Sequence, residues 1–190
     1  MEEEIKTCNP ESMRFKELKK VAVTGPESTG KSMLSEQLAS HYQTCRAPEF
    51  AREYLDRHGP AYEEKDILLI ARGQLHNERE AEKKAAGYLF CDTELIVTKI
   101  WSEVRYKRCD PWILRKINEH TYDLFLLCDI DLPWESDPLR EHPGMREELF
   151  ELYRRELISR KLPFFIVRGF GNDRLTNAIR LIEKYFSKIK

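Results

Sequence analysis

The chain has 190 residues, 34% of them charged, with the two signs nearly balanced at a net charge of −1. That length accommodates one domain with a core of its own and needs neither a disulfide nor a structural metal. The charge balance excludes a protein held on nucleic acid by an overall positive field, so any basic residues that matter act locally.

No apolar run reaches the length of a membrane span, and the N-terminal text "MEEEIKTCNPESMRFKELKK" is charged throughout where an export signal would be apolar. Residues 1–20 read as a polar leader, expected to be partly disordered, and residues 21–190 as one domain without repeat or linker. The first strand is predicted at 21–24. The helix from Lys31 sets Leu34, Leu38 and Tyr42 on one face, and "TCRAPEF" reads as a short second strand ending at Pro48. Helical segments follow, the longest over 66–85, with Gly73 a weak point inside it and Gly87 its stop. "YLFCDT" is the third strand, with a helix from about Glu94, and 123–129 the fourth. "IDLPWESDPLREHPG" then breaks too often for a regular element and reads as a mobile loop. A helix over 145–159, the strand "PFFIVRG" and a helix from Asp173 complete an alternation that implies an α/β fold with a mostly parallel sheet. The five cysteines, at 8, 45, 91, 109 and 128, form no C-x-x-C pair. Two of them lie in apolar runs, as small buried thiols do, and a reduced, cytoplasmic compartment is expected.

The stretch "GPESTGKS", Gly25 to Ser32, satisfies G-x-x-x-x-G-K-[ST] between a β-branched strand and an amphipathic helix. Each part answers the charge of a triphosphate. Gly25 and Gly30 let the backbone wrap so that N–H groups, from Ser28 and Thr29 through Met33, face the anion at a positive helix end. Lys31 reaches the β and γ phosphates, and Ser32 ligates magnesium. Glu27 also falls in the cradle, and its carboxylate is expected to point away from the anion. ATP and Mg²⁺ are the cofactors that this pattern implies. A second acid is needed on the metal side, and Asp92, at the end of the third strand, is the choice. A helix cap at Asp92 or Thr93 is the alternative, and Asp129 and Asp131 are its competitors. The histidines at 41, 58, 76, 120 and 142 have no zinc-ligand spacing.

In an open α/β sheet, ligands bind beyond the carboxyl ends of the strands. "APEFAREY" follows the second strand there: Glu49 can take or hold the proton of an acceptor hydroxyl and Arg52 can steady a polar group. On the loop after the fourth strand, Arg140 and Arg146 are placed to close guanidinium groups on a transferring phosphoryl group and to exclude water. The alternative for each is a solvated pair with Glu141 or Glu147.

"TGPESTGKS", "PEFAREYL", "FCDTELIVTKIWSE" and "DIDLPWESDPLRE…R", in this order, resemble the ribosylnicotinamide kinase domain of the NadR family of P-loop kinases, from Val21 to about Arg174. The resemblance implies a five-stranded parallel sheet flanked by helices, like the nucleoside and nucleotide kinases, with a lid after the fourth strand. It implies ATP-dependent phosphorylation of nicotinamide riboside in NAD salvage. Gly25, Gly30, Lys31 and Ser32 then match the cradle, Asp92 the metal-side acid, and Arg140 and Arg146 the lid. Asn172 and Arg174 fall where such kinases touch adenine, with a helix cap at Asn172 or Asp173 as the alternative. Trp101 or Trp134 can stack on a base or pack in the core or lid. The family's adenylyltransferase and DNA-binding domains have no counterpart here, so a stand-alone kinase domain is expected. Its partner is a small nucleoside-type acceptor, with no nucleic acid or membrane. Another nucleoside or nucleotide kinase, thymidylate-kinase-like, and a nucleotide-binding switch acting on a protein remain open, as does the oligomeric state.

Overall fold

The computed structural model describes residues 17–137, 140 and 144–188. The expected leader lies outside the described residues over 1–16, together with Cys8. Residues 138, 139 and 141–143 of the predicted loop also lie outside them.

The chain runs β1 (Lys19–Thr24), α1 (Lys31–His41), β2 (Arg46–Ala47), α2 (Phe50–His58), α3 (Glu64–Glu82), β3 (Tyr88–Asp92), α4 (Leu95–Tyr106), α5 (Pro111–Glu119), β4 (Leu124–Cys128), α6 (Arg146–Ser159), β5 (Phe164–Val167) and α7 (Asn172–Ser187). The strands form one five-stranded sheet in the order β2-β3-β1-β4-β5. Every pairing is parallel, as the alternation of strands and helices predicts. The strands are near-continuous apolar runs because both faces are covered. Ala22, Leu89, Cys91, Phe125 and Leu127 face one way, onto Ile96 and Ile100 of α4 and Tyr153 and Leu157 of α6. Their neighbours Val21, Val23, Phe90, Leu124 and Leu126 face the other way, onto Leu34 and Leu38 of α1 and Ala178 and Ile182 of α7. The expected thiols Cys91 and Cys128 are both fully buried. Among the described residues no helix is long and apolar enough to cross a membrane.

Several boundaries differ from those read in the sequence. β1 begins two residues early, at Lys19. β2 shrinks to two residues because it is the sheet edge, with β3 as its partner. α3 ends at Glu82 and not at 85. α5, which the sequence reading passed over, starts on Pro111 with Asp110 as its cap, the carboxylate accepting from the Trp112 N–H at 2.7 Å. Gly73 is no mere weakness: a Cβ there would come within 2.1 Å of the Phe50 ring, so its bareness lets α2 lie against α3.

α3 also carries Glu78, fully buried beneath the sheet. The Tyr122 hydroxyl donates to it at 2.9 Å, and His120 Nε2 lies 2.7 Å away. A buried carboxylate is tolerated only while such partners replace water. Tyr122→Phe is therefore expected to lower stability by about 1–3 kcal/mol, read as the shift in a urea unfolding curve at constant slope. An unshifted midpoint would show that the hydroxyl is dispensable.

Candidate active site

Parallel register brings the carboxyl ends of β1, β3 and β4 to one edge: Val23 pairs with Asp92 and Thr24 with Leu127. The phosphate loop leaves β1 between them. Gly25 has φ 131°, and a Cβ on it would lie 3.0 Å from the Cys128 carbonyl oxygen, so only glycine passes the end of β4 in this conformation. Gly30, at φ 72°, is the N-cap of α1 and makes no side-chain cap, so the helix opens with its first N–H groups directed at the loop. The Thr29 hydroxyl and the Lys31 ammonium both donate to the Pro26 carbonyl oxygen, at 2.7 and 2.6 Å.

A cavity of about 790 Å³ opens over this loop. Gly25, Glu27, Ser28, Thr29, Gly30, Lys31, Ser32, Met33, Glu49, Arg52, Arg140 and Arg174 all line it. Glu27, expected to turn away from the anion, thus borders the cavity. An apolar end is built from Leu55 of α2, Tyr62, Val97, Ile100 and Trp101 of α4 and Tyr153 of α6. A smaller cavity of about 400 Å³ adjoins it, sharing Ser32, Glu49 and Arg52 and adding Asp92 and Arg46.

Asp92 is buried at the end of β3. One carboxylate oxygen lies 3.4 Å from Arg46 Nη1 and the other has no partner at all. Burial pushes this carboxyl up, and the Ser32 hydroxyl, Lys31 and the arginines 46 and 52 draw it back down. An unpartnered buried carboxylate oxygen beside a hydroxyl on the first turn of α1 is a donor set for a hard divalent cation such as magnesium, which takes oxygen ligands. The helix cap weighed for Asp92 or Thr93 is made instead by Glu94, whose carboxylate accepts from the Ile96 N–H at 2.5 Å and from the Thr24 hydroxyl at 3.0 Å. The competitors are committed elsewhere, Asp129 to Arg168 at 2.5 Å and Asp131 to Arg174 at 2.6 Å.

Glu49 is the N-cap residue of α2, yet its side chain caps nothing. Burial raises its pKa, Lys31 lowers it, Asp92 raises it and Arg52 lowers it, so the carboxylate stands among the groups that a phosphoryl transfer uses. Arg52 is held by Asp137 at 3.0 Å.

The remaining predicted residues divide. Arg140 donates to the Ser28 hydroxyl at 3.3 Å and to the Glu135 carbonyl oxygen at 2.5 Å, over the loop. Arg146, the first residue of α6, does not line the cavity. Its guanidinium donates to the carbonyl oxygens of Leu132, Ser28 and Ile130 at 2.9, 3.2 and 3.3 Å, fastening the loop after β4 to the phosphate loop. Arg174 is buried and clamps the carbonyl oxygens of Thr29 and Asp129 at 2.9 and 3.1 Å, so it shapes the cradle's backbone. Asn172 is exposed outside the cavity, and neither it nor Asp173 caps α7, whose N-cap is Gly171. Trp101 donates from Nε1 to the Tyr62 hydroxyl at 2.7 Å at the apolar end, while Trp134 does not line the cavity. Phe170, 73% exposed at the rim, and the buried residues Gln74 and Glu94 have no role in the site as read from the sequence. The signal for the last two was a polar residue at a core-facing position.

The sequence profile of a family described as an AAA domain matches residues 20–174. The chain belongs to this family. Over 124 residues it is 33% identical to the trifunctional NAD biosynthesis/regulator proteins NadR of Salmonella typhimurium and Escherichia coli, matching 63% of this chain and 30% of theirs. The chain thus spans about a third of the length of these curated relatives. Of solved structures, a NadR protein in complex with NR superposes with a TM-score of 0.76 at 26% identity, covering 88% of this chain and 50% of that one. A deoxyadenosine kinase from M. mycoides (TM-score 0.60, 15% identity, 87% of this chain and 99% of that one) shares the fold. So does a thymidylate kinase from Ehrlichia chaffeensis (0.62, 11%, 87% and 98%). These neighbours share the fold of this domain, a five-stranded parallel sheet with the phosphate loop after its first strand.

Burial pushes the Glu94 carboxyl up from 4.5 to about 8 against the pull of its hydrogen bonds to Ile96, Thr24 and Val97. The folded protein therefore keeps a proton that the unfolded chain releases. The contribution of Glu94 to stability is complete below about pH 4.5 and is lost as pH rises through about 8. Urea unfolding of wild type and Glu94→Gln without nucleotide should show the stability of wild type falling relative to the variant across that window. A difference independent of pH would contradict the assignment.

Proposed function

We propose that this protein transfers the γ-phosphoryl group of ATP to the ribose 5′-hydroxyl of nicotinamide riboside, giving nicotinamide mononucleotide and ADP. The observation that carries the proposal is the placement of Glu49 and Asp92 about the phosphate-loop Lys31, in a cleft that runs on into an apolar, aromatic end. Likeness to NadR, whose name speaks of NAD biosynthesis and one of whose structures holds NR, supports the pyridine riboside as acceptor.

In this reading the acceptor oxygen forms a bond to the γ-phosphorus while the bond to the β–γ bridging oxygen breaks. Glu49 takes the hydroxyl proton; burial, which raises its pKa, makes it a stronger base than an exposed carboxylate. Lys31 and Arg140 stabilise charge on the phosphoryl oxygens, and the N–H groups at the start of α1 hold the phosphates. Magnesium, held by Ser32 and Asp92, would neutralise the phosphate charge. Tyr62 and Trp101 offer the base a ring surface, and the reaction runs in a reduced, cytoplasmic compartment. Fold likeness to deoxyadenosine and thymidylate kinases favours a second reading, another nucleoside or nucleotide as acceptor.

The test is product identity. Incubated with ATP, magnesium and a panel of nicotinamide riboside, deoxyadenosine and thymidine monophosphate, the protein should yield the 5′-phosphate of the pyridine riboside by mass. Glu49→Gln should lower its turnover by about 10²–10⁴-fold with ATP binding unchanged. Product from another member of the panel alone would establish the second reading.

A further inference from the structure

Glu49 stands where two short elements meet, and nothing in its own turn holds it. Its carboxylate makes no cap, β2 before it is two residues long, and the N–H of Phe50 after it is one of the donors that a helix start leaves without an intrahelical partner. The backbone on both sides of Glu49 is held instead by α3. The Gln74 amide oxygen accepts the Phe50 N–H at 2.9 Å, and Asn77, one turn on, reaches the Pro48 carbonyl oxygen at 3.5 Å. Both peptide neighbours of Glu49 are thus held from the same helix. Gly73 adds the third contact, since the Phe50 ring lies where a Cβ would be.

The other end of the same amide faces the sheet. Gln74 Nε2 lies 3.4 Å from the Asp92 carbonyl oxygen, 3.5 Å from that of Thr93 and 3.4 Å from Glu78 Oε1. The side chain is 2% exposed. A buried amide is costly unless its acceptor and donors are engaged, and here they are engaged by the segment of Glu49 on one side and that of Asp92 on the other. A leucine would have served the apolar face of α3 at this position.

We propose that Gln74, seated by Gly73, is a positioning residue that sets the spacing between Glu49 and Asp92, and so between the proton acceptor and the metal-side acid. The catalytic half of this inference rests on the function proposed above; the geometric half does not. Gln74→Met keeps length and helix propensity and removes every hydrogen bond. With nicotinamide riboside as acceptor, kcat should fall by about 10–100-fold, because a displacement near 1 Å at reacting groups costs that much. KM for ATP should stay within about twofold, because the cradle is untouched. A change that only loosened the fold would not separate the two constants. Crystal structures of wild type and Gln74→Met should show the first turn of α2 moved relative to β1 and β3.

Unchanged kcat, equal damage to ATP binding, or an unmoved Glu49 would each overturn the proposal. Should Gln74→Met fail to fold, Gly73→Ala replaces it. That variant must push the Phe50 ring aside and reproduce the selective loss of kcat, and Phe50→Leu added to it should restore turnover in part. Loss of ATP binding in Gly73→Ala would again overturn it. A wild type that leaves nicotinamide riboside untouched would remove the proposed function, and the crystal comparison would still decide whether Gln74 positions Glu49.

Discussion

The cleft depends on how the chain leaves β1. That strand lies between β3 and β4 with all three parallel, and its last residues are in register with Asp92 on one side and Leu127 on the other. The chain must then turn at once past the end of β4 and begin α1. Gly25 makes the turn possible by lying against the Cys128 carbonyl oxygen without a side chain. The outcome is a helix start aimed at the space above the sheet, with Lys31 on its first turn and the acid from the next strand beside it. Anion affinity is thus a property of the backbone before any side chain contributes.

Holding that geometry takes polar groups buried around the loop, and these form two sets. On the far side, Arg174 gathers the carbonyl oxygens of Thr29 and Asp129, and Arg146 gathers those of Ser28, Ile130 and Leu132. Guanidinium groups suit this task because their donors fan out in a rigid plane. On the near side, Glu94 joins the end of β1 to α4, and Gln74 joins the segments of Glu49 and Asp92. Buried polar networks of this kind specify one arrangement when every member is satisfied. Among the described residues, three side-chain atoms of this region, an oxygen of Asp92 and the Nε atoms of Arg146 and Arg174, are buried without hydrogen-bond partners.

Much of this was legible in the residues. The strands were plain because a strand covered on both faces must be apolar throughout, and the cradle was plain because its glycines, lysine and serine stand at one spacing between a strand and a helix. What escaped depended on convergence from distant parts of the chain. An arginine that clamps carbonyl oxygens looks, in sequence, like one that meets a phosphate. So Arg146, expected to meet the phosphoryl group, turns to the backbone outside the cavity, and Arg174 lines the cavity while its guanidinium holds the backbone. Gln74 shares a helix face with mostly apolar residues, where its part in the site does not show, and Gly73 before it counts only as a weak helix former. α5 was short enough to pass as loop, although Asp-Pro at its start was a sufficient signal.

In the proposed reaction this cleft delivers a phosphoryl group to an alcohol in preference to water. The most direct test is the partition of that group, measured as inorganic phosphate released against phosphorylated product formed, with magnesium and ATP, as nicotinamide riboside is titrated in. Slow phosphate release is expected without acceptor, and nearly one product molecule per ATP consumed at saturation. Phosphate release at an equal rate with and without acceptor, and no phosphorylated product, would contradict it and mark the protein as a nucleotide hydrolase.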